Sequence, residues 1–155
     1  MSFRVLVLAL VASTQIQVPE ATAAYQSKDA PARVSDSKVG RAACTMELVS
    51  DAQGVDFNSY LREVYLAVKK KWFANMPPSI EKGQQGKTTV EFRVLRDGNI
   101  PKDSPKMVSS SEKSDFDAAS LEAVREAAPF SHLPEKASLR YIVVRFTFFY
   151  NQKPQ

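Results

Sequence analysis

From residue 55 onward, hydrophobic and polar positions follow the order helix, hairpin, helix, strand. Apolar residues recur every four positions from Tyr60 to Trp72, which predicts an amphipathic helix with one buried face. Asp56 is placed to accept hydrogen bonds from the exposed amides of the first turn, and Pro77 follows the periodic segment. We therefore expect the first helix to lie between Asp56 and Pro77, with Trp72 in the core.

The next segment predicts a β-hairpin. Every second residue of Lys87–Arg96 is apolar over most of its length, which is typical of a strand with one buried face. Asp97 and Gly98 fit a two-residue turn, because glycine supplies the positive φ that such turns require. The return strand is expected from residue 99 to residue 108. Its prolines, Pro101 and Pro105, cannot donate to a ladder, so this strand should lie at an edge of the sheet.

The last two predicted elements are a helix over Asp115–Ala127 and a strand over Arg140–Tyr150. Ser114 is a suitable N-cap for the helix, whose narrow apolar stripe is rich in alanine and allows close packing on a sheet. The strand is rich in aromatic and β-branched residues, the best strand-forming composition in the chain. Its alternation predicts an inward face of Ile142, Val144, Phe146, Phe148 and Tyr150 and an outward face of Tyr141, Val143, Arg145, Thr147 and Phe149.

Together these elements predict an α+β fold in which a three-stranded antiparallel sheet packs against two helices. A right-handed crossover places the last strand beside the first, so the predicted strand order is second, first, third. The last strand would then be an edge strand without prolines, and an unpaired edge offers backbone donors and acceptors to another chain. We therefore expect a partner peptide to add beside it. The partner-binding residues are predicted to be Tyr141, Val143, Arg145, Thr147 and Phe149.

The N-terminal residues have the pattern of an export signal. A cationic start to Arg4 precedes the apolar run Val5–Ala12, and small residues at Ala21 and Ala23 suit cleavage before Ala24. This pattern predicts a signal peptide over residues 1–23 and a periplasmic protein. An uncleaved inner-membrane anchor, with the domain facing the periplasm, is the alternative. Residues 24–54 have the composition of a flexible tether with a short strand-like piece near its end, which leaves residues 55–155 as the domain.

Charge and candidate chemistry argue against most other functions. A net charge of +4 is too small to indicate nucleic-acid binding. Cys44 is the only cysteine and cannot form an internal disulfide, and His132 is the only histidine, with nothing in the sequence that links the two. The sequence contains no carboxylate pair, metal-ligand spacing or phosphate-binding loop. We therefore expect no enzyme, no metal or cofactor site and no small-molecule substrate.

Several short segments resemble, in order and spacing, the C-terminal domain of the TonB/TolA family of bacterial cell-envelope proteins. They are Lys71-Trp72, Val90–Val94, Asp97–Ile100, Val108–Ser111, Phe116–Ala119, Pro129-Phe130, Leu133-Pro134 and Val144–Asn151. The resemblance implies an α-β-β-α-β domain that reaches outer-membrane receptors and captures an extended peptide beside its last strand. Energy-transducing members also carry a membrane anchor and a long proline-rich spacer, whereas residues 24–54 hold only Pro31. A link to TonB-type transport therefore stays open.

Two functions follow from this sequence. The favoured one is a periplasmic protein-binding module that captures an extended peptide of an envelope or outer-membrane protein. The alternative is a structural envelope protein that forms a homodimer through the same edge strand, with Cys44 available for a link between chains.

Overall fold

The computed structural model of the chain describes residues 32–35 and 41–154. The predicted signal peptide, residues 1–23, lies outside them. The strands are β1 (Arg33–Ser35), β2 (Ala42–Leu48), β3 (Gly86–Leu95), β4 (Lys106–Ser109) and β5 (Tyr141–Tyr150), and the helices are α1 (Asn58–Ala74) and α2 (Ser114–Ala127), with a short 3₁₀ turn at Pro78–Ile80. The predicted α+β class is confirmed.

Over residues 32–35 and 41–154 the sheet has five strands, and the prediction of three was wrong. All neighbours are antiparallel and the order is β1-β2-β5-β3-β4, so the predicted second-first-third arrangement survives as β4-β3-β5. The two extra strands, at residues 33–35 and 42–48, lie inside the segment predicted as a flexible tether. Cys44, Met46 and Leu48 are buried in the core, and this apolar burial explains why β2 belongs to the sheet.

Helix α1 covers one face of the sheet as its periodicity predicts. Trp72 is fully buried, and Tyr65 stacks on Phe146 of β5 with the ring centroids 5.6 Å apart. The start of the helix follows Asp56, whose Oδ1 accepts from the backbone N–H of Asn58 at 2.8 Å. The predicted inward residues of β5 are all buried, so the inward face of this strand is confirmed.

The return strand of the hairpin is shorter than predicted. The hairpin turns at Asp97 and Gly98, but through a three-residue loop and not the predicted two-residue turn. The Leu95 N–H donates to the carbonyl of Asn99 at 2.8 Å, the Gly98 N–H donates to the carbonyl of Leu95 at 2.9 Å, and φ of Gly98 is 83°. Pairing with β3 then resumes only at Lys106–Ser109. Across the gap, the N–H of Arg93 donates to Ser104 Oγ at 2.9 Å. The prolines at 101 and 105, which lack an amide donor, account for the shortened ladder.

Helix α2 is held to the hairpin by Asp117. Its carboxylate accepts from the hydroxyls of Thr88, Ser110 and Ser111 and from the backbone N–H of Ser111. These hydrogen bonds lower the pKa of Asp117 even though burial opposes the shift. Ser114 is the first residue of the helix and makes no capping hydrogen bond, so the predicted N-cap was wrong. The first turns of the helix are instead tied to the hairpin by the hydrogen bonds of Asp117.

Candidate protein-binding surface

Strand β5 was expected to form an exposed edge, but it lies inside the sheet. β3 pairs with it on one side from Leu95↔Tyr141 to Gly86↔Tyr150. β2 pairs with it on the other side from Leu48↔Val144 to Ala42↔Tyr150. The premise that a partner finds an unpaired edge along the whole of β5 is therefore wrong, because β2 already occupies that edge.

The hydrogen bonding to β5 extends two residues beyond the end of β2. The N–H groups of Val49 and Ser50 donate to the carbonyl of Val143 at 2.8 and 3.3 Å, and the N–H of Val143 donates to Ser50 Oγ at 3.0 Å. Both backbone groups of Val143 are thus satisfied by the chain itself. Tyr141, at the start of β5, lies past this point and is 43% exposed.

The five predicted partner-binding residues do share the face of the sheet that is turned away from the helices. Tyr141 is exposed and its ring lies beneath the guanidinium of Arg93, 5.8 Å from Cζ to the ring centroid. Val143, Arg145 and Thr147 are half-buried, whereas Phe149 is buried and is not presented to solvent. The centre of this face, at Arg145 and Thr147, is polar.

A row of alternating charges crosses the middle of this face. Arg145 on β5 contacts Glu47 of β2 at 3.3 Å and Glu91 of β3 at 3.0 Å. Glu47 in turn contacts Arg33 of β1 at 3.3 Å, and Glu91 lies beside Lys106 of β4 in register. Every strand of the sheet thus contributes one charge, with the signs alternating from edge to edge. We call this set the charge row.

A row of hydroxyls lies beside the charge row. Thr45, Thr147 and Thr89 are register partners on β2, β5 and β3, and the Oγ1 atoms of Thr147 and Thr89 are 3.3 Å apart. Such cross-strand pairs stabilise a sheet without needing a cover on that face. The outward face of β5 is therefore bonded largely to neighbouring strands of its own sheet.

A model of the TonB C-terminal family matches residues 57–148, more than half of the chain. The chain belongs to the TonB C-terminal family. In the structure search it is similar to the NMR solution structure of Helicobacter pylori TonB-CTD, with 25% identity and a TM-score of 0.48, over 68% of this chain and 95% of that one. No curated protein matches the chain. TonB C-terminal domains are non-catalytic interaction modules of the cell envelope.

The TonB match begins at Phe57 and ends at Phe148, so it covers α1, β3, β4, α2 and most of β5. β1 and β2 precede it. Within this TonB-family chain, the strand that covers the last strand is therefore contributed from outside the matched segment. Sequence reasoning missed it, although the alternation of Cys44-Thr45-Met46-Glu47-Leu48 was a signal that could have found it.

Other candidate sites in this TonB-family chain are weaker. Cys44 is fully buried and its thiol donates to Tyr65 Oη at 3.3 Å, whereas His132 is exposed. Over residues 32–35 and 41–154, no three His, Cys, Asp or Glu side chains come together as a metal site. In the same part of the chain, no helix has the length and apolar content needed to cross a bilayer.

A small cleft lies between α1 and the segment that follows α2. Tyr60, Glu63 and Ser131 are among the residues that line it, and the Tyr60 hydroxyl donates to the Ser131 carbonyl at 2.8 Å. Burial and the nearby carboxylate of Glu63 raise the pKa of Tyr60 to about 12. The cleft volume of about 150 Å³ is below the usual range for small-molecule sites.

Proposed function

We propose that this chain is a periplasmic protein-binding module of the TonB family, which takes up an extended segment of an envelope or outer-membrane protein as an additional strand beside β5. The observation that carries the proposal is the family match, which runs from α1 through most of β5 and so includes three strands of the sheet and the two helices that support them. TonB-type transport is one process in which such a module would act.

The geometry of β5 supports this choice of strand. It is ten residues long and regular, and its inward side chains are fixed by α1 and α2. The edge on which the partner would add already accepts a strand of seven residues, β2, in continuous antiparallel register. Backbone hydrogen bonds give such a complex its affinity, while alternate side chains give it selectivity.

On this proposal, Tyr141, Val143, Arg145 and Thr147 determine which side chains a partner presents on the outward face. Phe149 contributes less, since it is buried. Self-association through the same edge would require the same position to be vacated by β2 in both copies. Binding of a different protein is therefore the function that we favour.

Site-specific photo-crosslinking in the native envelope tests the proposal. A benzoylphenylalanine would replace Tyr141 in the full chain, with the same residue at Phe73 on the outer face of α1 as the control. The two side chains have nearly the same exposure, 43% and 48%. We expect envelope or outer-membrane proteins to be captured from position 141 and not from position 73. Identical capture from both positions would contradict the proposal, and adducts between two copies of the chain would favour self-association.

A further inference from the structure

We propose that β2 is a displaceable internal substitute for the partner strand, and that its sequence describes the peptide that replaces it. This inference rests on the proposed function. β2 lies on the edge of β5 that the partner would take, and it precedes the segment that the family model covers. The occupied edge is then the resting form of the binding site.

The connection between β2 and α1 would allow β2 to leave without disturbing the helix. Nine residues, 49–57, separate the two elements. A tight turn lies within them, in which the N–H of Val55 donates to the carbonyl of Ala52 and both Gln53 and Gly54 have positive φ. Phe57 is buried at the start of α1, with its ring centroid 6.4 Å from that of Tyr60 on the same helix, and so anchors the helix end of the connection.

The side chains of β2 define what a replacement must supply. On the inward face, Cys44, Met46 and Leu48 fill the space against the core at every second position. A peptide without apolar residues at these three positions would leave that part of the core exposed to water. The peptide class is therefore an extended segment with three alternating apolar residues.

On the outward face, Glu47 defines a fourth requirement. Arg145 lies between Glu47 and Glu91, and if β2 leaves it retains only the carboxylate of Glu91. An aspartate or glutamate on the incoming peptide, placed between the second and third apolar positions, would restore the second ion pair. An incoming lysine would place like charges opposite one another, which destabilises a cross-strand pair.

Cys44 reports directly on the departure of β2. It is the only cysteine of the chain and is fully buried in this strand, so a maleimide should label it only when β2 opens. Glu47→Lys should loosen β2, because it replaces contacts with Arg33 and Arg145 by repulsion. We expect labelling of full-length Glu47→Lys to be about tenfold faster than that of the unaltered chain. Glu81→Lys makes the same change at an exposed site and should leave the rate unchanged.

A disulfide between β2 and β5 should have the opposite effect to Glu47→Lys, because it holds β2 in place. The N–H of Val49 donates to the Val143 carbonyl and that of Asn151 to the Arg41 carbonyl, so Thr45 and Thr147 occupy a hydrogen-bonded pair between them. Such pairs have Cα atoms about 5.5 Å apart, within the range that a disulfide spans. Thr45→Cys/Thr147→Cys, with Cys44→Ser to remove the native thiol, locks β2 when oxidised and frees it when reduced.

The probe is a fluorescent peptide with the sequence of residues 41–49, carrying alanine in place of Cys44 so that this position stays apolar. We expect it to bind Glu47→Lys about tenfold more tightly than the unaltered chain, and to bind the disulfide variant only when reduced. Labelling of Glu47→Lys at the unaltered rate would show that β2 does not leave. Two results would contradict the replacement of β2 by a peptide. One is a Glu47→Lys chain that labels rapidly but does not bind the peptide, and the other is equal binding of the peptide to the oxidised and reduced disulfide variant.

Photo-crosslinking of the disulfide variant separates this inference from the proposed function. If the oxidised and reduced forms capture the same envelope proteins, protein binding stands and displacement of β2 is wrong. If neither form captures any while the peptide still exchanges with β2, the proposed function fails. Capture by the reduced form alone would support both.

Discussion

Trp72 on α1 donates its indole N–H to the hydroxyl of Tyr150 on β5 across 2.8 Å, and both side chains are fully buried. The same hydroxyl donates to the carbonyl of Phe116 and lies 2.8 Å from Ser120 Oγ, both on α2. One phenol at the end of the last strand thus connects both helices to the sheet. It also holds the end of β5 that pairs with the start of β2.

Tyr150→Phe should destabilise the domain by about 1–3 kcal/mol, because the ring still fills its space while the buried N–H of Trp72 loses its acceptor. The free energy of unfolding from urea titrations measures the effect. Tyr141→Phe is the matched control and should change stability by less than about 0.5 kcal/mol, since Tyr141 is exposed. Equal losses from the two substitutions would show that the buried hydroxyl contributes little.

Stability should fall in alkaline solution. Burial raises the pKa of Tyr150 to about 12 from its ordinary value of 10.0, and burial likewise raises that of Tyr60 to about 12. Between pH 10 and 12 the unfolded chain loses these protons while the folded chain retains them, so the free energy of unfolding decreases as the pH rises. Unfolding titrations at pH 8 and pH 10.5 should show this decrease, and Tyr150→Phe should show a smaller one. An unchanged decrease in Tyr150→Phe would contradict the assignment to Tyr150.

Asp117 should contribute stability that is lost in acid. Its folded pKa is lowered, so its contribution is complete well above the ordinary value of 3.8 and disappears as the pH falls through the folded pKa. Asp117→Asn should cost about 1–2 kcal/mol at pH 7, because the charge-assisted hydrogen bonds weaken. Unfolding titrations at pH 7 and pH 3 should then show a smaller loss in the variant. Glu122→Gln on the exposed face of α2 is the control and should behave as the unaltered chain.

Alanine substitutions at two glycines should distinguish the cost of backbone strain from the cost of steric overlap. Both Gly98 and Gly83 have positive φ, but a Cβ at Gly98 would lie 1.9 Å from the carbonyl oxygen of Phe130, whereas one at Gly83 meets nothing within 4 Å. Gly83→Ala should cost about 1–2 kcal/mol, the strain alone. Gly98→Ala should cost about 3 kcal/mol or more, because the loop that follows α2 must also move. Thermal melts compare them, and similar losses would mean that this loop yields easily.

Strong periodicity made most of the family core predictable from sequence. The four-residue spacing of α1 and the alternation of β5 each point to one structure, and both are found. Asp97 and Gly98 mark the place where the hairpin reverses, although the loop has three residues and not two. Phe130 and Leu133, in the loop that follows α2, are buried in the same core. These signals are local and need no knowledge of the neighbouring elements.

The candidate site was less predictable because an edge is defined by what lies beside it. β5 looks like an edge strand in sequence, and only the structure shows that residues 42–48 cover it. Two adjacent alanines and a single cysteine weaken the alternation of β2, so composition favoured a tether. The pairing joins residues about a hundred positions apart in the sequence, such as Thr45 and Thr147, which no local pattern indicates.

The charge row has a consequence for the alignment of the strands. A slip of one residue would turn the apolar side chains of a strand to the wrong face and is excluded by burial alone. A slip of two residues keeps every apolar side chain inward, so burial discriminates against it poorly. It would, however, move Glu47 from Arg145 to Val143 or Thr147 and separate the charges. Hydrophobic burial allows several alignments that differ by two residues. The charge row stabilises only the one in which each charge lies beside a charge of opposite sign.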